Sequence, residues 1–159
     1  MKGPFIMSSQ HQMKILAISS GGGHWIQLLR LKPAFEGGDI TYACVRKSYS
    51  EDVRGERFVV ITDASRGDRL RLLKMLFQVA WLVFILRPDV VITTGAAPGY
   101  AAIRFGKWMR ARTIWIDSIA NAETMSLSGA MLARHADLWL TQWPHLAKPE
   151  GPRYMGAVI

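Results

Sequence analysis

Cysteine is nearly absent: Cys44 stands alone among 159 residues. One chain therefore holds no internal disulfide and no cysteine-rich zinc site, which suits a reducing compartment. Acidic residues are scarce as well, 12 against 20 lysines and arginines, for a formal net charge of +8. That balance turns the search toward anionic partners: nucleic acid, acidic lipid headgroups or phosphorylated substrates. No nucleic-acid-binding motif backs the first of these, so none is expected as a partner. A membrane-spanning run is missing too. The longest uncharged stretch of the most apolar segment runs from Met75 to Leu86, well short of the roughly 20 residues a spanning helix needs. Residues 1–12 lack both the apolar core and the small-residue cleavage site of a signal peptide. There is no GxGxxG, no GxxxxGK[ST], no Asp-x-Asp pair and no metal-ligand cluster, so neither a metal nor another cofactor is expected.

What is present is a regular alternation. Half of the residues are hydrophobic, enough for the core of one ordinary domain. Met13 is followed directly by an apolar run. Residues 1–12 thus read as a leader, disordered or added before the natural start, and residues 13–159 as a single domain. Strands are expected at Lys14 to Ser19, Asp39 to Val45, Arg57 to Thr62, Asp89 to Thr93, Thr113 to Asp117 and Asp137 to Gln142. Helices are expected at His24 to Phe35, Arg69 to Leu86, Tyr100 to Arg110 and Ser128 to His135, with Pro88 stopping the second. Arg46 to Gly55 reads as a loop and the tail from Pro144 as irregular. Near-continuous apolar strands alternating with helices predict an α/β fold: a Rossmann-like, open, mostly parallel sheet with helices on both faces. Ligands of such sheets bind at the carboxyl ends of the strands. Three polar or glycine-rich turns follow strands, and the fold would gather them on one edge.

The first turn is Ser20-Gly21-Gly22-Gly23-His24. Glycine permits positive φ and close backbone approach, and the first-turn N–H groups of a helix attract phosphate. His24 at that helix start suits a general base or a hydrogen-bond donor to an anion, or a structural cap. The second turn holds Thr94, Gly95, Gly99 and Tyr100. It reads as another anion cradle, or as close packing of helix on sheet. The third runs from Asp117 through Ser118 to Glu123. These carboxylates suit binding of a sugar hydroxyl or service as a base; a lone carboxylate at a strand end also suits a helix cap.

Arg69 to Arg87 is basic at its front, with Arg66, Arg69, Arg71 and Lys74, and apolar on more than one face. Phe77, Trp81 and Phe84 belong to that apolar part. Such a helix fits the surface of an anionic membrane, or else a buried position or subunit interface.

Three segments together carry a resemblance: "SSGGGHWIQLLRL", "LRPDVVITTGAAPGYAA" and "TIWIDSIANAETMSLSGAMLARHADLWLTQWP". The chain resembles the acceptor-side subunit of two-chain glycosyltransferases related to the dolichol-pathway N-acetylglucosaminyltransferase, especially the bacterial exopolysaccharide versions of the PssD type. The resemblance implies the N-terminal half of a GT-B glycosyltransferase, inactive alone. It implies a donor-binding partner on a separate chain and a polyprenyl-diphosphate-linked saccharide acceptor. The donor would be a UDP-sugar, glucuronic acid or N-acetylglucosamine, used with inversion, in polysaccharide biosynthesis. Gly21, Gly22, Gly23 and His24 match the family's first glycine loop, which would face the diphosphate and reaction centre. Thr94, Gly95, Gly99 and Tyr100 match the second. Asp117 and Ser118 fall where relatives often carry Glu-Ser. His24 is then the first choice for the base and Asp117 the second. The implied location is the cytoplasmic face of the inner membrane, held peripherally through the helix that begins at Arg69.

Overall fold

The computed structural model describes residues 12–64, 67–133 and 135–158. Most of the expected leader, Arg66 of the basic cluster and Ile159 lie outside them. Seven strands form one sheet: β1 (Lys14–Ile18), β2 (Asp39–Cys44), β3 (Arg57–Val60), β4 (Val90–Thr93), β5 (Arg112–Ile116), β6 (Leu138–Thr141) and β7 (Arg153–Tyr154). Their order is β3-β2-β1-β4-β5-β6-β7, and every neighbouring pair is parallel. Among the described residues, four α-helices accompany them: α1 (Gly23–Arg30), α2 (Arg69–Leu86), α3 (Ala96–Trp108) and α4 (Leu127–Leu132).

Strand alternation divides the core in two. Leu16, Ile18, Val91 and Trp115 face one layer with Met75, Val79 and Val83 of α2, Ile103 of α3 and Leu132 of α4. Ile15, Ala17, Tyr42, Ile92 and Ile116 face the other, with Trp25 and Leu28 of α1 and Phe35. Both faces are covered, which is why the strands read as continuous apolar runs. Cys44 lies in the second core, where burial pushes its thiol pKa up, so it is a packing residue and not a reactive one.

Four local expectations need correction. The first helix ends at Arg30, and Lys32–Phe35 continues as a 3-10 turn, because Pro33 has no N–H to sustain the α ladder. Lys47–Val53 is a 3-10 segment where a loop was expected. The third helix starts at Ala96 instead of Tyr100; Pro98 falls within its first turn, where N–H groups have no intrahelical partner anyway. The tail is not wholly irregular: Arg153–Tyr154 pairs in parallel with β6.

The strand order fixes where a site can form. It runs leftward from β1 to β3 and rightward from β4 to β7, so it reverses between β1 and β4. Crossovers in the two directions lie on opposite faces, and the loops after β1 and β4 part to leave a crevice. The Gly21–Gly23 loop follows β1, and Thr94-Gly95 follows β4. Two segments 70 residues apart are thereby neighbours.

Candidate functional site

His24 and Thr94 close the switch point with a reciprocal pair of hydrogen bonds. Thr94 Oγ1 donates to the His24 carbonyl at 2.6 Å, and His24 Nδ1 lies 2.8 Å from the Thr94 carbonyl. A carbonyl only accepts, so Nδ1 carries the proton of the neutral ring and Nε2 keeps the free lone pair. The imidazole lies close against Gly95, whose φ is +126°: a Cβ there would stand 2.8 Å from His24 Cε1. Glycine at 95 is thus required twice, by its backbone angle and by the ring.

The first glycine loop is braced from β2's side. Gly22, at φ +67°, donates its N–H to the Tyr49 hydroxyl at 3.1 Å, and Tyr49 stacks on Trp25. Ser20 uses its carbonyl to accept from Ser19 Oγ and Cys44 Sγ. A Cβ on Gly21 would touch Arg46 Nε at 3.4 Å, so an exposed guanidinium flanks this loop.

Asp117 takes a different place from the one expected of a base. Its carboxylate is only 2% exposed and accepts from Trp115 Nε1, Asn121 Nδ2, and both the backbone N–H and hydroxyl of Ser126. Four donors occupy it, so Asp117 organises the loop before α4. Ser126 in turn caps α4, accepting from Gly129 N at 2.9 Å. The neighbouring Ser118 is buried, and its hydroxyl accepts from Gln27 Nε2.

A pocket of about 260 Å³ with a mixed polar and apolar lining opens where these pieces meet, lined by His24, Ser118, Asn121, Ser126 and Ser128 together with Ala96, Ala120 and Leu127. Hydroxyls, an amide and one imidazole with a free nitrogen can bind sugar hydroxyls and take up a proton. Of the expected site residues, His24 and Ser118 line this pocket, and Thr94 and Gly95 hold the imidazole. Gly99 does not take part: it is buried in α3, and any Cβ would run into Thr93 Oγ1, so it serves close packing of α3 on β4. Tyr100 packs half-buried against the core beneath α2 and α3. Glu123 is exposed and outside the lining. Sequence reasoning placed Asn121 within the third turn but did not single out Gln27, Ser126, Ser128 or Arg46. Only Ser126 had a legible signal, as a serine before a helix. Among the described residues, no three of His, Cys, Asp and Glu gather to hold a metal ion.

The helix α2 buries one stripe, Met75, Val79, Val83 and Leu86, and is capped by Asp68, which accepts from Arg71 N. Its opposite stripe is apolar and open. Phe77 is 71% and Trp81 56% exposed, with Leu73, Phe84 and Ile85 in line with them. The Phe77, Trp81 and Phe84 rings stack in succession, and Arg87 lies over Phe84 at 5.9 Å. Trp108, 83% exposed at the end of α3, adds to this face. Arg69, Arg71 and Lys74 are exposed on its first turns. Among the described residues, no helix is long and apolar enough to cross a membrane.

Comparison with known proteins gives four points of reference. The family model described as "Oligosaccharide biosynthesis protein Alg14 like" matches residues 68–158, more than half of the chain. The mouse (Mus musculus) UDP-N-acetylglucosamine transferase subunit ALG14 is 23% identical, over 99% of this chain and 88% of that protein. Among solved structures, MurG of Acinetobacter baumannii superposes with a TM-score of 0.70 at 12% identity, covering 91% of this chain and 45% of that one. The UDP-N-acetylglucosamine 2-epimerase of Rickettsia bellii gives the same TM-score and identity, covering 93% and 46%. The chain thus spans less than half of these two enzymes, and the likeness is one of fold: the N-terminal Rossmann-like half of a GT-B architecture.

Proposed function

The chain belongs to the Alg14-like family of oligosaccharide biosynthesis proteins, and from that premise we propose that it is the acceptor-binding subunit of a two-chain, inverting GT-B glycosyltransferase. The observation that carries this reading is the His24 pocket at the β1–β4 switch point. The acceptor is a polyprenyl-diphosphate-linked saccharide whose diphosphate rests against the glycine loop, with Arg46 beside it. The donor is a UDP-sugar held mainly by a partner chain. N-acetylglucosamine is favoured over glucuronic acid, because the curated relatives are named as subunits of transferases of that sugar. His24 Nε2 takes the proton of the acceptor hydroxyl as its oxygen bonds to the sugar's anomeric carbon. The bond from that carbon to UDP breaks, UDP departs with the electron pair, and the configuration inverts. Asp117 holds the loop that carries Asn121 and Ser126, and the N–H groups of Gly21 and Gly23 steady the diphosphate charge.

Reconstitution tests this directly. The chain mixed with its donor-binding partner transfers sugar from UDP-N-acetylglucosamine to a short polyprenyl-diphosphate saccharide, and neither chain does so alone. Transfer by this chain alone would overturn the subunit reading.

The α2 face supports peripheral docking on the cytoplasmic leaflet of the inner membrane. Aromatic side chains enter the interface, and the basic first turns meet acidic headgroups. Each such cation contributes about 1 kcal/mol near an anionic surface. Exchanging Arg69, Arg71 and Lys74 for glutamine should therefore weaken binding to acidic vesicles by roughly 30- to 150-fold. The exposed Arg71–Asp68 ion pair sets the lower end of that range. Sedimentation with acidic and neutral vesicles measures it; equal binding to both would remove the electrostatic part.

A further inference from the structure

Gln27 is buried on α1, and its amide uses every hydrogen-bonding position it has. Nε2 donates to the Gly23 carbonyl and to Ser118 Oγ, both at 3.1 Å. Oε1 accepts from Ile119 N at 3.0 Å and Gln142 Nε2 at 2.5 Å. Only one orientation of the amide serves all four partners. Turned over, its NH2 would face the Ile119 N–H, and its oxygen would face the Gly23 carbonyl.

The network continues away from the pocket. Gln142 Nε2 also donates to the Asp117 carbonyl at 2.9 Å, and its Oε1 accepts from Val158 N at 2.8 Å. Arg30 Nη1 donates to the Val158 carbonyl at 3.1 Å. The arm from Met155 to Val158 lines a groove with Ile116 and Leu140. One buried chain of amides thus joins four segments: the first turn of α1, the turn after β5, the residue after β6 and the arm.

Two of those segments contribute to the pocket. Gly23 precedes His24, and His24 and Ser118 both line it. We propose that Gln27 is a positioning residue that fixes His24 at its working distance from Ser118, and that Gln142 extends this clamp to the arm, so that seating of Val158 sets the rate of transfer. The inference rests on the reading of the pocket as the acceptor site. Neither glutamine touches the reacting atoms. They act on geometry, where a shift of about 1 Å at a reacting group can cost about 10²-fold in rate.

The test uses the reconstituted two-chain enzyme. In Gln27→Glu the side chain keeps its shape but faces the Gly23 carbonyl with an acceptor; Val158→Pro removes the arm's N–H to Gln142 and also fixes φ at that position. Gln27→Glu is expected to lower kcat about 10- to 30-fold and Val158→Pro about threefold, with KM for the UDP-sugar within about twofold of wild type. Because the two lie on one chain of contacts, the double variant should be no slower than Gln27→Glu alone. A merely structural role would lower Tm and the yield of paired complex, leaving kcat per complex unchanged; that result, or effects that multiply independently, would overturn the clamp. Should Gln27→Glu fail to fold, kcat of Val158→Pro decides in the same way. His24→Ala, measured alongside, separates the two readings. An inactive His24→Ala beside a normal Gln27→Glu ends the clamp only, whereas a fully active His24→Ala ends the site assignment itself.

Discussion

Replacing His24 with alanine should slow transfer by about 10²- to 10⁴-fold while leaving pairing with the donor-binding chain and Tm close to wild type. The range is what a positioned general base contributes when lost. The structure explains why the fold should tolerate the change. Thr94 Oγ1 bonds to the backbone carbonyl of residue 24, so half of the latch between the two loops does not depend on the imidazole. Gly22 N and the Gln27 amide hold the remainder of the loop. The Thr94 carbonyl loses its ring donor, but the pocket beside it lets water replace that donor. A companion variant separates base from latch. In His24→Gln the amide NH2 can reach for the Thr94 carbonyl, but no side chain able to take up the acceptor's proton remains at that position. If both variants are slow, the base assignment stands. If glutamine restores the rate, His24 serves only to hold the loops, and proton transfer belongs to another group. Steady-state kinetics of the reconstituted enzyme, with acceptor and donor varied in turn, provides the measurement.

The fold was legible in the sequence because both faces of the sheet are covered. Continuous apolar strands such as Lys14–Ile18 and Val90–Thr93, interleaved with helical segments, leave few alternatives. The parallel edge strand β7 was not legible: two residues in a tail rich in proline and glycine carry no periodicity. At the site, the glycine turns announced themselves by composition, but composition does not distinguish a ligand cradle from a packing contact. Gly95 and Gly99 sit four residues apart in one motif. One accommodates an imidazole and the other brings α3 onto β4, and only the position of Thr93 and His24 around them reveals which is which. Gln27 and Gln142 were invisible for a related reason. They are polar residues at buried positions, joined to each other and to Ser118 across 91 to 115 residues, and no local pattern encodes such a pairing. The outer stripe of α2 was half-readable. Sequence indicated too many apolar residues for one face, and the structure shows that the surplus is exposed and aromatic.

Asp117→Ala should be the most destabilising single substitution in the site, at about 3 kcal/mol, equivalent to a fall in Tm of roughly 6–12 °C. Four donors converge on this buried carboxylate, and removing it strands them. Trp115 Nε1 and the Ser126 backbone N–H have no freedom to turn to solvent without disturbing the β5 end or the start of α4. The effect should spread along a defined path: Ser126 loses its anchor, the cap on Gly129 N loosens, and the pocket wall made by Asn121, Ser126 and Ser128 opens. Asp117→Asn should be milder, near half the loss, since one amide oxygen still accepts while the NH2 now faces donors. Activity provides the contrast with His24. Below its own Tm, folded Asp117→Asn should keep a substantial part of wild-type kcat, as expected of a residue that shapes a wall and does not move a proton. Thermal unfolding paired with kinetics at a temperature where each variant is folded decides the point. A stable Asp117→Asn with transfer lowered as far as in His24→Ala would return Asp117 to the role of base, and would require its carboxylate to break from these donors when the acceptor binds.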